Sequence, residues 1–217
     1  MILGLRHSPL RLLTTATLTW FDDGCCDVKY LDEWHEVPLS YYPGQATTPD
    51  WHIDHHEKVI AHDPDGRLFP HAADLLMRYH FYPPHILSHV STFSLGGRWL
   101  EVGDRIVQRI RLLEVFGFSI LSVVSMTEIT EAIVEPHRCG FTYTTVATHV
   151  EQGEWAASIT WQANGDIVLT LDAISRPNPQ EPSRNYAFMR SWQQAAHQQG
   201  MSHFKQMVTN NEYFGLA

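Results

Sequence analysis

Residues 136–177 read PHRCGFTYTTVATHVEQGEWAASITWQANGDIVLTLDAISRP, and this stretch decides the fold. Tyr143, Thr145 and Ala147 alternate along a first strand rich in threonine, a residue that favours an extended chain. Trp155, Ala157, Ile159 and Trp161 fall on one face of a second strand, and Ile167, Leu169, Leu171 and Ala173 on one face of a third. The stretch stops abruptly at Ser175-Arg176-Pro177. Between the last two strands lies Asn164-Gly165, a short-range hairpin signal. A two-residue loop would pair Trp161 with Val168 and put Ile159 opposite Thr170, mixing apolar and polar positions on both faces. A three-residue loop, 163–165, pairs Trp161 with Ile167, Ile159 with Leu169 and Ala157 with Leu171. A one-residue slip moves a whole strand to the wrong face, so the three-residue loop is predicted, with Gly165 left-handed in a bulged turn.

Working outward, residues 182–208 carry Tyr186, Met189, Trp192, Ala196, Phe204 and Met207 near helical spacing, which predicts a long closing helix with a weak point at Gly200. Upstream, 51–62 reads as a strand ended by the turn Asp63-Pro64-Asp65-Gly66. Residues 68–79 have helical spacing, stopped by Pro83-Pro84, and a short helix is expected over 85–90. Residues 99–112 form a strand interrupted at Gly103-Asp104. There Ile106, Ile110 and Leu112 face one way, and Arg105, Val107, Arg109 and Arg111 the other. Two further strands are expected over 118–127 and 129–135. Residues 10–21 suggest another, and Tyr42-Pro43-Gly44 and Thr48-Pro49-Asp50 separate the first segment from the main domain. The order of strand, helices, a run of antiparallel strands and a long closing helix predicts an α+β fold. In it a curved antiparallel sheet grips the C-terminal helix and encloses a cavity.

The 217 residues suit one sizeable domain with its own core. Residues 1–37 are taken as an N-terminal extension and 38–217 as the main domain. Fifteen Lys and Arg against 24 Asp and Glu give a net charge of −9, which disfavours nucleic acid as a partner. Three cysteines, two of them adjacent, form no closed disulfide framework and fit a reducing compartment. No apolar run is long enough for a transmembrane helix. A cytoplasmic location is expected. Organelle import is the alternative, because Arg6 and Arg11 precede the first acid, Asp22.

Several local groups share their order and spacing with a known family. They are Tyr42-Pro43-Gly44, Phe69 with Ala72, Gly103-Asp104-Arg105, Gly140-Phe141-Thr142-Tyr143, His149, Gly153-Glu154 and Ser175-Arg176-Pro177. On these the chain, over roughly 39–208, resembles the START-like superfamily of helix-grip domains, and within it an uncharacterised family known as domain of unknown function nineteen-ninety. The resemblance implies a helix-grip fold and a hydrophobic ligand. That superfamily holds both carriers and enzymes, so it does not imply a reaction.

The strands also place the candidate site residues. His149, Glu151 and Glu154 are read in the connection between the first two strands, where they can orient a polar head group or move protons. The alternative is a solvated turn. Arg176 can clamp an anion or tie the closing helix to the sheet by an ion pair. Arg105 is either aimed inward by a bulge or held in a structural pair. A hydrophobic small molecule or lipid would lie against Trp155, Ile159, Trp161, Leu169, Trp192 and Phe204, with Tyr143, Thr145, His149, Arg105 and Arg176 supplying polar contacts. On the same cavity a cyclase- or lyase-type enzyme would use His149 and Glu154 for proton transfer and Arg176 for developing negative charge. A third possibility is a structural or interaction module whose cavity is filled by its own side chains. His52, Asp54 and His56 share a strand face, and His85 and His89 have i, i+4 spacing. Such coincidences are common in a chain with 14 histidines, and no resident metal is expected. No phosphate-cradling glycine loop is present, and no cofactor is expected.

Overall fold

The computed structural model describes residues 16–116, 118–179 and 186–210. In chain order the elements are β1 (Thr17–Trp20), α1 (Lys29–Glu33), β2 (His52–His62), α2 (Leu68–Met77), β3 (Leu87–Ser91), α3 (Thr92–Gly96), β4 (Arg105–Val115), β5 (Phe118–Glu135), β6 (Arg138–Thr145), β7 (Glu151–Trp161), β8 (Asp166–Pro177) and α4 (Tyr186–Thr209). Eight strands form one curved antiparallel sheet in the order β2-β8-β7-β6-β5-β4-β3, and β1 pairs with β5 off that path. One face of the sheet grips α4, which packs on β2 and α2, so the fold is a helix grip.

Local chemistry explains the decisive hairpin. Trp161 pairs with Ile167, Ile159 with Leu169 and Ala157 with Leu171. The Gln162 N–H donates to the Asp166 carbonyl at 2.8 Å, leaving 163–165 as the three-residue loop. Gly165 sits at φ +88, the left-handed position that a side chain would disfavour. At the other end of the sheet, the Asp63 carboxylate accepts hydrogen bonds from the N–H groups of Arg67, Leu68 and Phe69 and so starts α2. The core between sheet and helices includes Ile159, Leu169 and Phe204, all fully buried. Each large apolar side chain buried in this way stabilises by about 1.5–3 kcal/mol.

Several sequence expectations are corrected. The short helix predicted over 85–90 is strand β3, because pairing with β4, Leu87 opposite Ile110, outweighs its local preference. The helical turn comes next, as α3, with Ser91 and Ser94 forming a capping box. The strands expected over 118–127 and 129–135 are one, β5, carried past a bulge between Ile129 and Glu131. The strand expected from 99 begins only at Arg105. Ahead of it Asp104 is bound by Arg98, Thr92 and the Glu101 N–H. Of the strand suggested over 10–21, residues 17–20 form β1, and 10–15 lie outside the described residues. Likewise 182–185 of the closing helix lie outside them.

Gly200 does not interrupt α4. A Cβ there would meet Phe81 Cε1 at 2.3 Å, so the missing side chain lets helix and Phe81 approach closely. Alternation along β4 also builds a second, smaller core. Ile106 and Ile110 join the α4 side, while Val107 packs on the opposite face with Tyr30, Trp34 and Val37. On that face Arg109, 1% exposed, donates to both carboxylate oxygens of Asp27, to Asp22 and to Thr19. Residues 22–37 thus lie against the back of the sheet, following β1, which is itself one of its strands.

Candidate functional site

Where α4 crosses the ends of β6, β7 and β8, a cavity of about 70 Å³ remains. Tyr82, Ile86 and Ile110 close one side, and Trp155 and Trp192 another. Its polar lining is Gln108, Tyr143, Thr145, His149, Glu151, Glu154, Ser175, Gln193 and His197.

Glu151, the first residue of β7, occupies the same alternating phase as Gly153, Trp155 and Ala157 and therefore faces inward. Gln193 holds it: Nε2 donates to Glu151 Oε2 at 3.0 Å, while Gln193 Oε1 accepts from Arg190 Nη1 at 2.6 Å. Arg190 in turn grips Asp54 of β2 through both carboxylate oxygens. The amide is therefore oriented by an ion pair that ties α4 to the sheet edge. Although Glu151 as a residue keeps some exposure, its Oε1 is sealed from solvent and has no hydrogen-bond partner among the described residues. Burial, against the pull of Arg190 and helped by nearby Asp54, raises its pKa to about 7.

The neighbouring imidazoles behave oppositely. His149 Nδ1 lies 3.0 Å from the Glu151 N–H and 3.1 Å from the Glu151 carbonyl oxygen, so the ring tautomer sets whether it accepts from the one or donates to the other. Burial lowers the pKa of His149 to about 4, and that of His197 likewise. Asn178 Nδ2 donates to the His149 carbonyl at 2.8 Å and steadies the connection. Tyr143 stacks on Trp155 with ring centroids 5.2 Å apart. Its buried phenol, its pKa raised by desolvation, lies beside Gln108 and Tyr79. Cavity and carboxyl together can accept a small apolar body and one polar group, or exchange a proton with it.

Residues 36–203 match the family described as Domain of unknown function (DUF1990). The chain belongs to that family. Comparison with curated proteins finds no match to this DUF1990 sequence. Among solved structures it is similar to a hypothetical protein from Helicobacter pylori at 12% identity and TM-score 0.47, over 78% of this chain and 92% of that one. It is also similar to Ara h 8.0201 at 13% identity and TM-score 0.45, over 74% and 99%. Norcoclaurine synthase from Thalictrum flavum aligns at 10% identity and TM-score 0.43, over 74% and 94%. At such identities the likeness is one of fold.

Of the residues picked from sequence in the DUF1990 chain, Tyr143, Thr145, His149, Glu151, Glu154, Trp155 and Trp192 come together around the cavity. Thr145 is also structural, its hydroxyl accepting from the Gly153 N–H at 2.9 Å. Glu151 and Glu154 lie in β7 rather than in the connection. Glu154 lines the cavity as a residue, but alternation turns its carboxyl to the face opposite Trp155, toward Tyr41 and Glu131. Arg176 lies over the Trp51 ring at 4.4 Å, donates to Gln152 and pairs with Asp50 at 3.1 Å, away from the cavity. Arg105 lies on the far face, bound to Glu128 and the Trp34 carbonyl. Ile159, Leu169 and Phe204 are core outside the cavity lining. Trp161 stacks on Phe69 and donates to the Asp63 carbonyl at the hairpin end.

Among the described residues no group of three or more His, Cys, Asp or Glu is placed to hold a metal. His85 and His89 share no helix, and Asp54 is committed to Arg190. Among those residues, no helix is long and apolar enough to cross a membrane. Sequence reasoning missed Gln108, Arg190, Gln193 and His197. Glu151 carried a signal, an acid in phase with the apolar residues of β7.

Proposed function

We propose that this protein binds a compact, largely apolar small molecule in the cavity between sheet and α4. One observation carries this function: an aromatic-walled cavity lined also by Glu151, one of whose carboxyl oxygens is buried with no partner among the described residues. Sites of this kind, mostly apolar with a few placed polar groups, are what small-molecule pockets look like. The cavity volume of about 70 Å³ favours a compact occupant. Cavities that admit benzene run to about 150 Å³, so even one ring calls for some outward movement of Trp192 or Met189. A long-chain lipid would need a larger displacement of α4. Native mass spectrometry of purified protein, followed by organic extraction, tests the proposal. A retained small molecule, lost on Trp192→Ala, is the expected result. Failure to retain any molecule, together with no quenching of tryptophan fluorescence by small aromatic probes, would overturn it.

A second function, acid–base catalysis on the bound molecule, is favoured by the Glu151 carboxyl, whose pKa near 7 suits it to exchange protons at neutral pH. Glu151 would then take the part assigned from sequence to Glu154. In that case Glu151→Gln would abolish turnover of the extracted molecule while the cavity still takes up its apolar body.

A further inference from the structure

We infer that the cavity selects organic amines, seating the ammonium group against Glu151 Oε1 and the attached apolar body among Tyr82, Tyr143, Trp155 and Trp192. This deepens the binding function proposed above and rests on it. Charge is the first support. The groups facing Glu151 are Arg190, Gln193 and His197 from α4, Asp54 from β2, Tyr143 from β6, Tyr82 from the segment after α2, and His149 from the connection into β7; both phenols are neutral, their pKa values raised by burial. Arg190 is matched by Asp54 in a two-oxygen ion pair, and both His149 and His197 are neutral at pH 7 because burial takes their pKa values to about 4. An ionised Glu151 therefore brings a negative charge that Arg190, already matched, does not balance, into a nearly sealed site. A buried charge of that kind calls for a counter-charge.

The second support is the wall. Tyr143 and Trp155 are stacked, and Tyr82 lies with its ring 6.0 Å from that of Trp155. Aromatic faces attract cations through the ring quadrupole, and more strongly where water is excluded. The third is hydrogen bonding. Oε2 is taken by Gln193, and Oε1 has no partner among the described residues, so a donor on the ligand completes the carboxylate. An ammonium meets all three conditions, whereas an alcohol meets only the last. The net charge of −9 also steers cations toward the protein.

The test uses three ligands of nearly one shape, benzylamine, benzyl alcohol and toluene, titrated into the full chain by calorimetry and tryptophan fluorescence. Benzylamine should bind about tenfold or more tightly than benzyl alcohol, the margin of a hydrogen bond to a charged group. Its affinity should rise between pH 6 and pH 8 as Glu151 ionises around pH 7. Glu151→Gln should bring benzylamine down to the level of the alcohol without weakening toluene. Equal binding of all three, or an amine affinity flat with pH, overturns the amine preference and leaves the apolar cavity standing. Should none bind, the binding function itself fails with it. The pH profile of the unaltered protein decides the matter even if the variant does not fold.

Discussion

Gln193 Nε2 donates a 3.0 Å hydrogen bond to Oε2 of Glu151, joining the closing helix to the first residue of β7. The bond places the gripped helix and the sealed carboxyl in one polar chain that runs from Asp54 through Arg190 and Gln193. Any shift of α4 that admits a ligand must therefore also move the partner of Glu151. The ionisation of that carboxyl and the seating of the helix are coupled, and the coupling makes pH a probe of the site.

Glu151→Gln should stabilise the protein at pH 8 and leave it nearly unchanged at pH 4. The carboxyl has a folded pKa of about 7 against an ordinary value of 4.5. The folded state therefore holds the proton more tightly, and stability falls as pH rises through that window. Above it the full cost of the buried charge is present, of order 3 kcal/mol at most, and the neutral amide removes it. Thermal melting of both proteins at the two pH values checks this.

Acid should act through the histidines in the opposite sense. His149 and His197 have folded pKa values of about 4, below the ordinary 6.5, so stability is lost as pH falls from 6.5 toward 4. His197→Leu removes one of the two groups. Its acid-unfolding midpoint, followed by circular dichroism, should lie at lower pH than that of the parent. A midpoint that does not move would show that His197 is free to protonate in the folded state.

Gly200→Ala should destabilise, although alanine is the better helix former by about 1 kcal/mol. The new Cβ would stand 2.3 Å from Phe81 Cε1, and such overpacking costs about 1–3 kcal/mol. Adding Phe81→Leu should recover most of the loss. Denaturant unfolding of the two single variants and the double reads the coupling directly.

On the back of the sheet, Asp27→Ala should cost about 3 kcal/mol, the lower end for a broken buried pair, since it strips the buried Arg109 of its two-oxygen partner and leaves it Asp22. The double variant Arg109→Met, Asp27→Leu should be much less damaged, because the one charge left without its partner, Asp22, is half-exposed to solvent rather than buried. Chemical denaturation distinguishes the two outcomes. Equal losses would mean that the contact matters through packing alone.

The register of the β7–β8 hairpin could be taken from the sequence because its determinants are local. Strict alternation from Trp155 to Trp161 and from Ile167 to Ala173 admits one pairing, and Gly165 supplies the left-handed turn that pairing needs. The long closing helix and the grip arrangement were legible for similar reasons, being set by periodicity and element order. The short segments were not. Residues 87–91 become a strand only because β4 lies beside them, and β5 runs on through Thr130 because a bulge absorbs the irregularity. The site was half legible. Tyr143, His149, Trp155 and Trp192 could be picked as inward-facing or loop residues, but the choice between Glu151 and Glu154 depended on where β7 begins. That start is decided by pairing with β8, Glu151 opposite Pro177, residues far apart in the chain. Arg190, Gln193 and His197 depended on how α4 is rotated and seated against β2, which helical spacing leaves open. Alternation and turn chemistry act between near neighbours, so the sequence by itself determines strands, their faces and the fold. A buried carboxyl and its partners come from separate elements, and only their packing in three dimensions decides which acid is sealed inside.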